Sequence, residues 1–525
     1  MKKKRKCPAP VFKEYNQDQM WLFPPSIDEL IPQNHIVRTI NTAINRMNLS
    51  NILRAYKGGG TSSYHPQMLL KVLIYAYTQK IYSSRNISKA LRENVNFMWI
   101  AGNNRPDFRT INRFRSIILK ENIEKVFASV LELLFEKGFI KFENYFLDGT
   151  KIEANANKYS FVWGKSTKQY KERLQKQVRE LLEKIDVIND KENDEYGDSD
   201  LEELGEGVEV TAEELEKTIR RINEGLAENE KDKDKEVAQD LKKLEEDMLP
   251  RLKKYEEHEK ILGKRNSFSK TDHDATFMRM KEDPMMNGQL KAGYNIQIGT
   301  ENQFILGYSI HQKPTDTTTL IPHINKLKEI TGRLPENIIA DAGYGSVENY
   351  VFIESERLGN YVKYPYFHKE QQRKFKKEIF RTENLHYDPE KDEFTCPAGK
   401  KLRYTDDKQR ITDNGYLQKT KIYTADDCRW CRKRTECHKS RYNRRIEINP
   451  VLAEFKKTVS ANLKSERGRL LRSKRPVEVE SVFGHIKHNR GFKRFLLRGL
   501  DNVSTEWGLI SIAHNLFKMN LAMAK

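Results

Sequence analysis

Hydrophobic and polar positions divide the chain into stretches of different period. From residue 16 to 140 the apolar positions recur at helical spacing. His65 to Tyr77 is apolar almost all round, which predicts a buried helix. A shorter helix is expected over Ser84–Glu93, opened by a serine cap. Another is expected after Pro106, where Phe108, Ile111 and Phe114–Arg115 form one side while Arg109, Asn112 and Arg113 point elsewhere. That layout fits a helix packed on one side and offered to DNA on the other. It fits equally a basic solvated face on an ordinary bundle.

The period changes at Asn144. Tyr145-Phe146-Leu147 reads as a short strand ending in Asp148-Gly149-Thr150. Residues 165–264 are polar, with three apolar stripes at helical spacing. These are Leu174, Val178, Leu181, Leu182 and Ile185; then Leu215, Ile219 and Ile222; then Leu241, Leu244 and Met248. They predict a helical, partly coiled-coil insertion, with an acidic loop over 189–209. Strand signals return at Tyr294–Ile298 and Gln303–Ile310, which should form a hairpin. A helix over Asp316–Ile330 follows, capped by Asp316 or a neighbouring threonine. Next come a buried strand at Asn337–Ala340 closed by Asp341-Ala342-Gly343, a helix near 347–358, and a strand near 361–364. This order describes a mixed α/β sheet.

Charge narrows the partners. The 525 residues carry 94 Lys and Arg against 75 Asp and Glu, a formal net charge of +19. Such an excess favours a polyanion, because each phosphate contact releases condensed counterions. No apolar run approaches the ~20 residues of a membrane span. The basic run Met1–Lys6 has no apolar stretch after it and reads as a disordered arm rather than a secretory signal. A cytoplasmic chain is expected, meeting the nucleoid when bound to DNA.

Asp148 and Asp341 share a context, each closing an apolar strand before a glycine. Open α/β sheets place their sites beyond such strand ends. If the two strands are parallel neighbours, both carboxylates enter one cleft and favour a cation, with oxygen ligands suited to Mg²⁺ or Mn²⁺. A lone Asp after a strand is otherwise an ordinary turn residue. Late in the chain, Val479, Val482, Phe483 and Ile486 make an apolar helical face. Glu480, Gly484 and Lys487 stand on a second face, spaced to hold a metal beside a phosphate. The alternative is a surface pair contributing about 0–1 kcal/mol. Arg490, Lys493, Arg494 and Arg498 continue a basic track.

Three of these stretches resemble DDE transposases of bacterial insertion sequences, in the insertion-sequence-four superfamily: Asp148-Gly149-Thr150-Lys151, Ala340-Asp341-Ala342-Gly343-Tyr344, and Val479 through Lys487. Ser63–Arg115 resembles that family's N-terminal domain, and Thr271–Ala275 another shared segment. The resemblance implies an RNase H-like core with Asp148, Asp341 and Glu480 as the catalytic triad. These would hold two Mg²⁺ or Mn²⁺ ions for DNA cleavage and strand transfer at terminal inverted repeats. It places Lys487 as a DNA contact, seven residues after the Glu as in the family's Tyr-Arg-Glu-Lys signature. The signature's Arg falls at Pro476, with Arg475 beside it and Arg472 further back, and its Tyr falls at Ser473. Only Glu480 and Lys487 transfer; Glu478 is a rival acid facing away from Lys487. A homodimer on DNA follows from the need for two active sites at two ends. A catalytically inactive DNA-binding derivative and an RNase H-like nuclease without strand transfer are the alternatives.

Four of the five cysteines cluster late. Cys428-Arg429-Trp430-Cys431 is a Cys-x-x-Cys knuckle, Cys437 follows, and Cys396 precedes. Such a set in a cytosolic chain points to tetrahedral Zn²⁺, with His438 able to replace one ligand; buried or free thiols are the alternative. The expected organisation is therefore a basic arm (1–15) and a helical DNA-binding domain (16–140) carrying Arg109 and Arg113. A core follows at 141–164 and 265–370, interrupted by the helical insertion (165–264). A zinc-ribbon-like insertion (371–445) comes next. The C-terminal helical part (446–525) carries Glu480, Lys487, Arg490 and Arg494.

Overall fold

In the N-terminal region most helices begin where a side chain satisfies an otherwise bare backbone N–H, although the helix over Ile123–Glu136 starts without such a cap. The computed structural model describes residues 26–56, 63–196, 210–228, 235–280 and 289–524. The Met1–Lys6 arm, Cys7 and residues 197–209 of the expected acidic loop lie outside these. Helices α1 (Ile36–Asn45), α2 (Pro66–Thr78), α3 (Ser84–Glu93), α4 (Phe108–Arg113) and α5 (Ile123–Glu136) lie in this region, with short helices at Ser50–Arg54 and Val95–Ile100 and a π turn over Phe114–Ile118. His65, Ser83 and Asp107 cap α2, α3 and α4. Ile111, Phe114 and Arg115 are buried as the spacing predicts, while Phe108 is partly exposed.

The insertion forms α6 (Gly164–Tyr196), α7 (Ala212–Glu228), a helical run from Lys235 that passes through a π turn, and α8 (Leu249–Leu262). The three apolar stripes meet as one core that includes Leu174, Val178, Leu215, Ile219, Leu241 and Leu244, separate from the main core. Helix α6 continues to Tyr196, so 189–196 is helical where a loop was expected.

The main sheet contains β1 (Asn144–Glu153), β2 (Thr276–Arg279), β3 (Leu290–Glu301), β4 (Phe304–His311), β5 (Asn337–Ala340) and β6 (Gly359–Val362). Its order is β2-β3-β1-β5-β6, with β4 also on β3. Strand β1 runs antiparallel to β3 and parallel to β5, and β5 runs parallel to β6. The stretch Tyr145–Thr150 of β1 is buried throughout, as befits a central strand covered on both faces. The strand is longer than its apolar run, so Asp148 lies within it rather than at its end. The entry to β1 is fixed by the buried Glu301, whose carboxylate accepts the N–H groups of Lys141, Phe142, Glu143 and Asn144 at 2.6–3.1 Å.

Around the sheet lie α9 (Leu320–Thr331), α10 (Val347–Ser355), α11 (Pro450–Lys464), α12 (Glu466–Arg475) and α13 (Leu500–Met523). Helix α9 begins later than predicted, with the neighbouring Thr319 rather than Asp316 at its N-cap position. The Asp316 carboxylate instead accepts from Asn295 at 2.8 Å and Gln297 at 2.9 Å. Helix α13 packs against α2, α5 and β4. Its Asn515 takes both outward backbone groups of Ile305 at 2.8 Å, which closes the free edge of β4. Asp274 caps its start, accepting Leu500 N–H at 2.8 Å. A second, antiparallel sheet has the order β11-β10-β9-β8-β7, from β7 (His386–Asp388), β8 (Glu393–Thr395), β9 (Lys401–Ile411), β10 (Leu417–Ala425) and β11 (Arg445–Ile448).

Under the main sheet runs a buried relay. Tyr145 Oη meets His323 Nε2 at 2.6 Å, His323 Nδ1 meets Ser309 Oγ at 2.7 Å, and Ser309 Oγ meets His311 Nε2 at 2.7 Å. Burial holds His323 well below the usual imidazole range, and pushes His311 down to about 4 with help from Lys326. Between an unfolded-state value of about 6.5 and the folded values, the unfolded chain binds more protons, so stability falls as pH falls. The urea midpoint should therefore drop as pH is lowered from 7.5 to 5, and drop less steeply in His323→Gln. Equal slopes in the two proteins would show that the relay does not govern acid stability.

Candidate active site

Parallel pairing of β1 with β5 sets Phe146 opposite Ile339. Two residues further along each chain, Asp148 and Asp341 therefore stand level. Asp341 also caps the turn that follows, accepting Gly343 N–H at 2.8 Å. Glycine after Asp148 leaves room for its neighbours: a Cβ at Gly149 would crowd the Gln297 amide and the Asp316 carboxylate and force both side chains to shift. Gly149 thus serves close strand packing, not the turn its sequence context suggested.

The third acid arrives on a helical run from α12 through Asn489. Pro476 sits inside this run. It has no N–H to donate and its ring crowds the preceding turn, and the helix answers with a π turn over Pro476–Glu480. In a regular α-helix, residues five apart point about 140° away from each other. The wider turn brings Arg475 and Glu480 onto one side, with Arg475 Nη1 2.8 Å from Glu480 Oε1. Arg475 Nη2 lies 3.1 Å from Asp148 Oδ1 and 3.6 Å from Asp341 Oδ2. One guanidinium thus joins all three acids. The Asp148 and Arg475 side chains are each 9% exposed, Asp341 42% and Glu480 49%.

These groups line an open cleft of about 350 Å³ together with Thr150, Gly484, Lys487 and His488. Glu480, Gly484 and Lys487 share it as their helical spacing predicts, and a Cβ at Gly484 would meet nothing. Three carboxylates against Arg475 leave a formal charge of −2, and Lys487 brings it to −1. Burial and the neighbouring Arg475 push the half-buried Lys363 below the ordinary lysine range, with Asp341 opposing them. Burial, Asp316, Asp148 and Asp341 raise Tyr344 well above the ordinary phenol range, so it stays a donor, to Gln297. Asp316 is a fourth carboxylate beside the triad, close to Gly149 and Gly343. By position Asp316 or a neighbouring threonine could cap the next helix, and Arg475 stands one place from the signature position without being assigned its role. The signal for Arg475 was Pro476, which marks a helix that cannot keep its period.

Other predicted residues lie elsewhere. Arg490 is buried: its guanidinium donates to Tyr77 O and Thr78 O at 3.2 and 2.9 Å and stacks on Phe517. It joins helices inside the fold and is not presented to DNA, contrary to expectation. Arg494 is exposed but donates to Ala154 O and Ala156 O. Arg109 and Arg113 are exposed on α4, Arg109 lying over Phe108. Glu478 is buried and accepts Gln303 N–H at 2.7 Å, away from the cleft. Cys396, Cys428, Cys431 and Cys437 are free thiols that line one small cavity with His438. Among the described residues, no three His, Cys, Asp or Glu side chains stand ready as a metal-holding group. In the cleft, a guanidinium lies among the acids.

Residues 25–116 match a family described as Transposase domain (DUF772), and residues 395–520 a family described as Transposase DDE domain. The second match includes Glu480, while Asp148 and Asp341 lie outside both. No curated protein and no solved structure matches the chain.

Removing one partner from a buried ion pair costs about 3–5 kcal/mol; because Asp341 and Glu480 reach solvent, Arg475→Ala should cost about 2–4 kcal/mol. Urea denaturation in chelator checks this, and Arg475→Lys, which keeps the charge but not the fork, should lose less. An unchanged Arg475→Ala midpoint would mean that the cluster contributes nothing to stability.

Proposed function

We propose that the chain is a DNA transposase of the insertion-sequence-four superfamily. On this reading it cleaves DNA at the terminal inverted repeats of its element and joins the freed 3′ ends to a target. The observation that carries it is the meeting of Asp148, Asp341 and Glu480, from three distant stretches, around one guanidinium in an open cleft. Two further findings support it. The sheet has an antiparallel half and a parallel half joined at β1, as expected of an RNase H-like core. Transposase domains also match at both ends of the chain.

The donor set fits a hard cation: carboxylate oxygens alone, with a net negative formal charge. Asp148, Asp341 and Glu480 would hold Mg²⁺ or Mn²⁺. Two such ions supply activation of water or a 3′-hydroxyl and stabilisation of the leaving oxygen. The chain's own groups prepare the site. Arg475 keeps mutually repelling acids gathered around one cleft. Lys487 gives a phosphate a cationic partner beside Glu480. Gly484, with open space where a side chain would be, lets the DNA backbone approach. Arg109 and Arg113, exposed on α4, are proposed to contact the element ends, and two chains are proposed to act together because two ends must be cut. No helix among the described residues is long and apolar enough to cross a membrane.

Asp341→Ala changes a half-exposed side chain and should abolish Mg²⁺-dependent nicking and joining of an inverted-repeat oligonucleotide into a plasmid. End binding in a gel-shift assay should persist. Binding lost together with cleavage would assign Asp341 a structural role, and nicking by the unaltered protein without joined product would favour a nuclease.

A further inference from the structure

The late cysteines play no part in the acid cleft. Cys396 lies in the Cys396-Pro397-Ala398-Gly399-Lys400 turn between β8 and β9, and Cys428, Cys431 and Cys437 lie between β10 and β11. The two segments meet around one cavity of about 20 Å³, room for a single small sphere. The first turn curls about its sulfur: Gly399 takes a φ of 78°, and Lys400 N–H donates to Cys396 Sγ at 3.2 Å. Arg444 N–H donates to Cys428 Sγ at 3.4 Å, and Arg444 Nη1 to Cys437 Sγ at 3.1 Å. Donors aimed at sulfur suit sulfur that carries negative charge. Lys433 Nζ reaches Pro397 O at 3.3 Å and ties one turn to the other.

Two further observations point to a ligand. Both ring nitrogens of His438, which lines the same cavity, are buried without a hydrogen-bond partner. A buried polar atom left so costs free energy that a metal bond removes. The five-stranded sheet also has little apolar material to hold it. Its core cluster is Leu385, Phe394, Leu402, Tyr423, Ala425, Cys428 and Ile446, so one cavity cysteine is itself part of the core. Units this small commonly rely on a metal or disulfide staple.

We propose that this cavity is a Zn²⁺ site held by Cys396, Cys428 and Cys431, with the fourth ligand drawn from the adjacent Cys437–His438 pair. Thiolates from two turns close the coordination sphere, so the site is structural and has no open position for catalysis. Ligation requires the sulfurs to turn from their present donors into the cavity, since no three of these side chains yet stand as a metal-holding group. Its role is to lock the β8–β9 turn to the loop before β11. The second sheet is thereby held as one unit on the chain that continues into α11 and α12.

The test uses the full-length protein purified under reducing conditions without chelator. Elemental analysis should find about one zinc ion per chain. The cavity thiols should resist a thiol reagent until a chelator is added. Asp148→Asn, which alters only the acid cleft, should keep the zinc, and the Cys428→Ser/Cys431→Ser double variant should lose it. That double variant also risks unfolding the sheet, so cobalt replacement in the unaltered protein provides an independent measure through thiolate-to-cobalt absorption. In Cys437→Ser this band should fall by about a quarter if Cys437 is the fourth ligand and stay unchanged if His438 is. Zinc far below one per chain with thiols reactive from the outset would overturn the proposal. So would zinc that Asp148→Asn removes.

Discussion

Three carboxylates brought close together in a partly buried cleft repel one another, and the single backbone N–H that Gly343 gives Asp341 offsets little of that repulsion. Arg475 counters it with a single planar fork: one nitrogen serves Glu480 and the other reaches both aspartates. The rest of the local architecture serves this meeting. Parallel pairing of β1 with β5 levels the two aspartates, Gly149 lets the strands and Asp316 close in, and the π turn rotates Glu480 towards them. A guanidinium in this place offsets part of the repulsion among the acids. The cluster remains net negative, so its attraction for a divalent ion is reduced but not abolished.

The surrounding fold fixes the cleft through buried polar pins as well as apolar packing. Glu301 collects four backbone N–H groups at the entry to β1, which sets where that strand begins and therefore where Asp148 falls. Asn515 closes the edge of β4, and Asp272 and Asp274 meet the start of α13. Arg490 donates to carbonyls at the end of α2. Each is expensive to bury unpaired, so each specifies one arrangement of helix on sheet.

Much of this was legible in the sequence because burial leaves a period. The apolar stripes of the insertion, the Ile296–Ile310 hairpin and the buried α2 all follow from spacing, as does the shared face of Glu480, Gly484 and Lys487. What spacing cannot carry is the partner of a charged side chain. Arg490 stands in a basic run and reads as a DNA contact, yet long-range carbonyls from α2 claim it. Asp316 resembles a cap because it precedes a helix, yet Asn295 and Gln297, from a strand elsewhere in the chain, hold it. Asp148 was placed at a strand end because the apolar run stops there. The strand itself continues, since a central position buries polar residues too.

Pro476 has a wider consequence. Rigid sequence templates assume that helices keep a constant pitch, so an arginine one place too early scores as a missing residue. Here the extra residue is absorbed by a local widening of the coil, and the two side chains still touch. Comparisons among such chains should let that interval stretch by one wherever a proline intervenes. Otherwise the arginine that meets the glutamate in space will be overlooked.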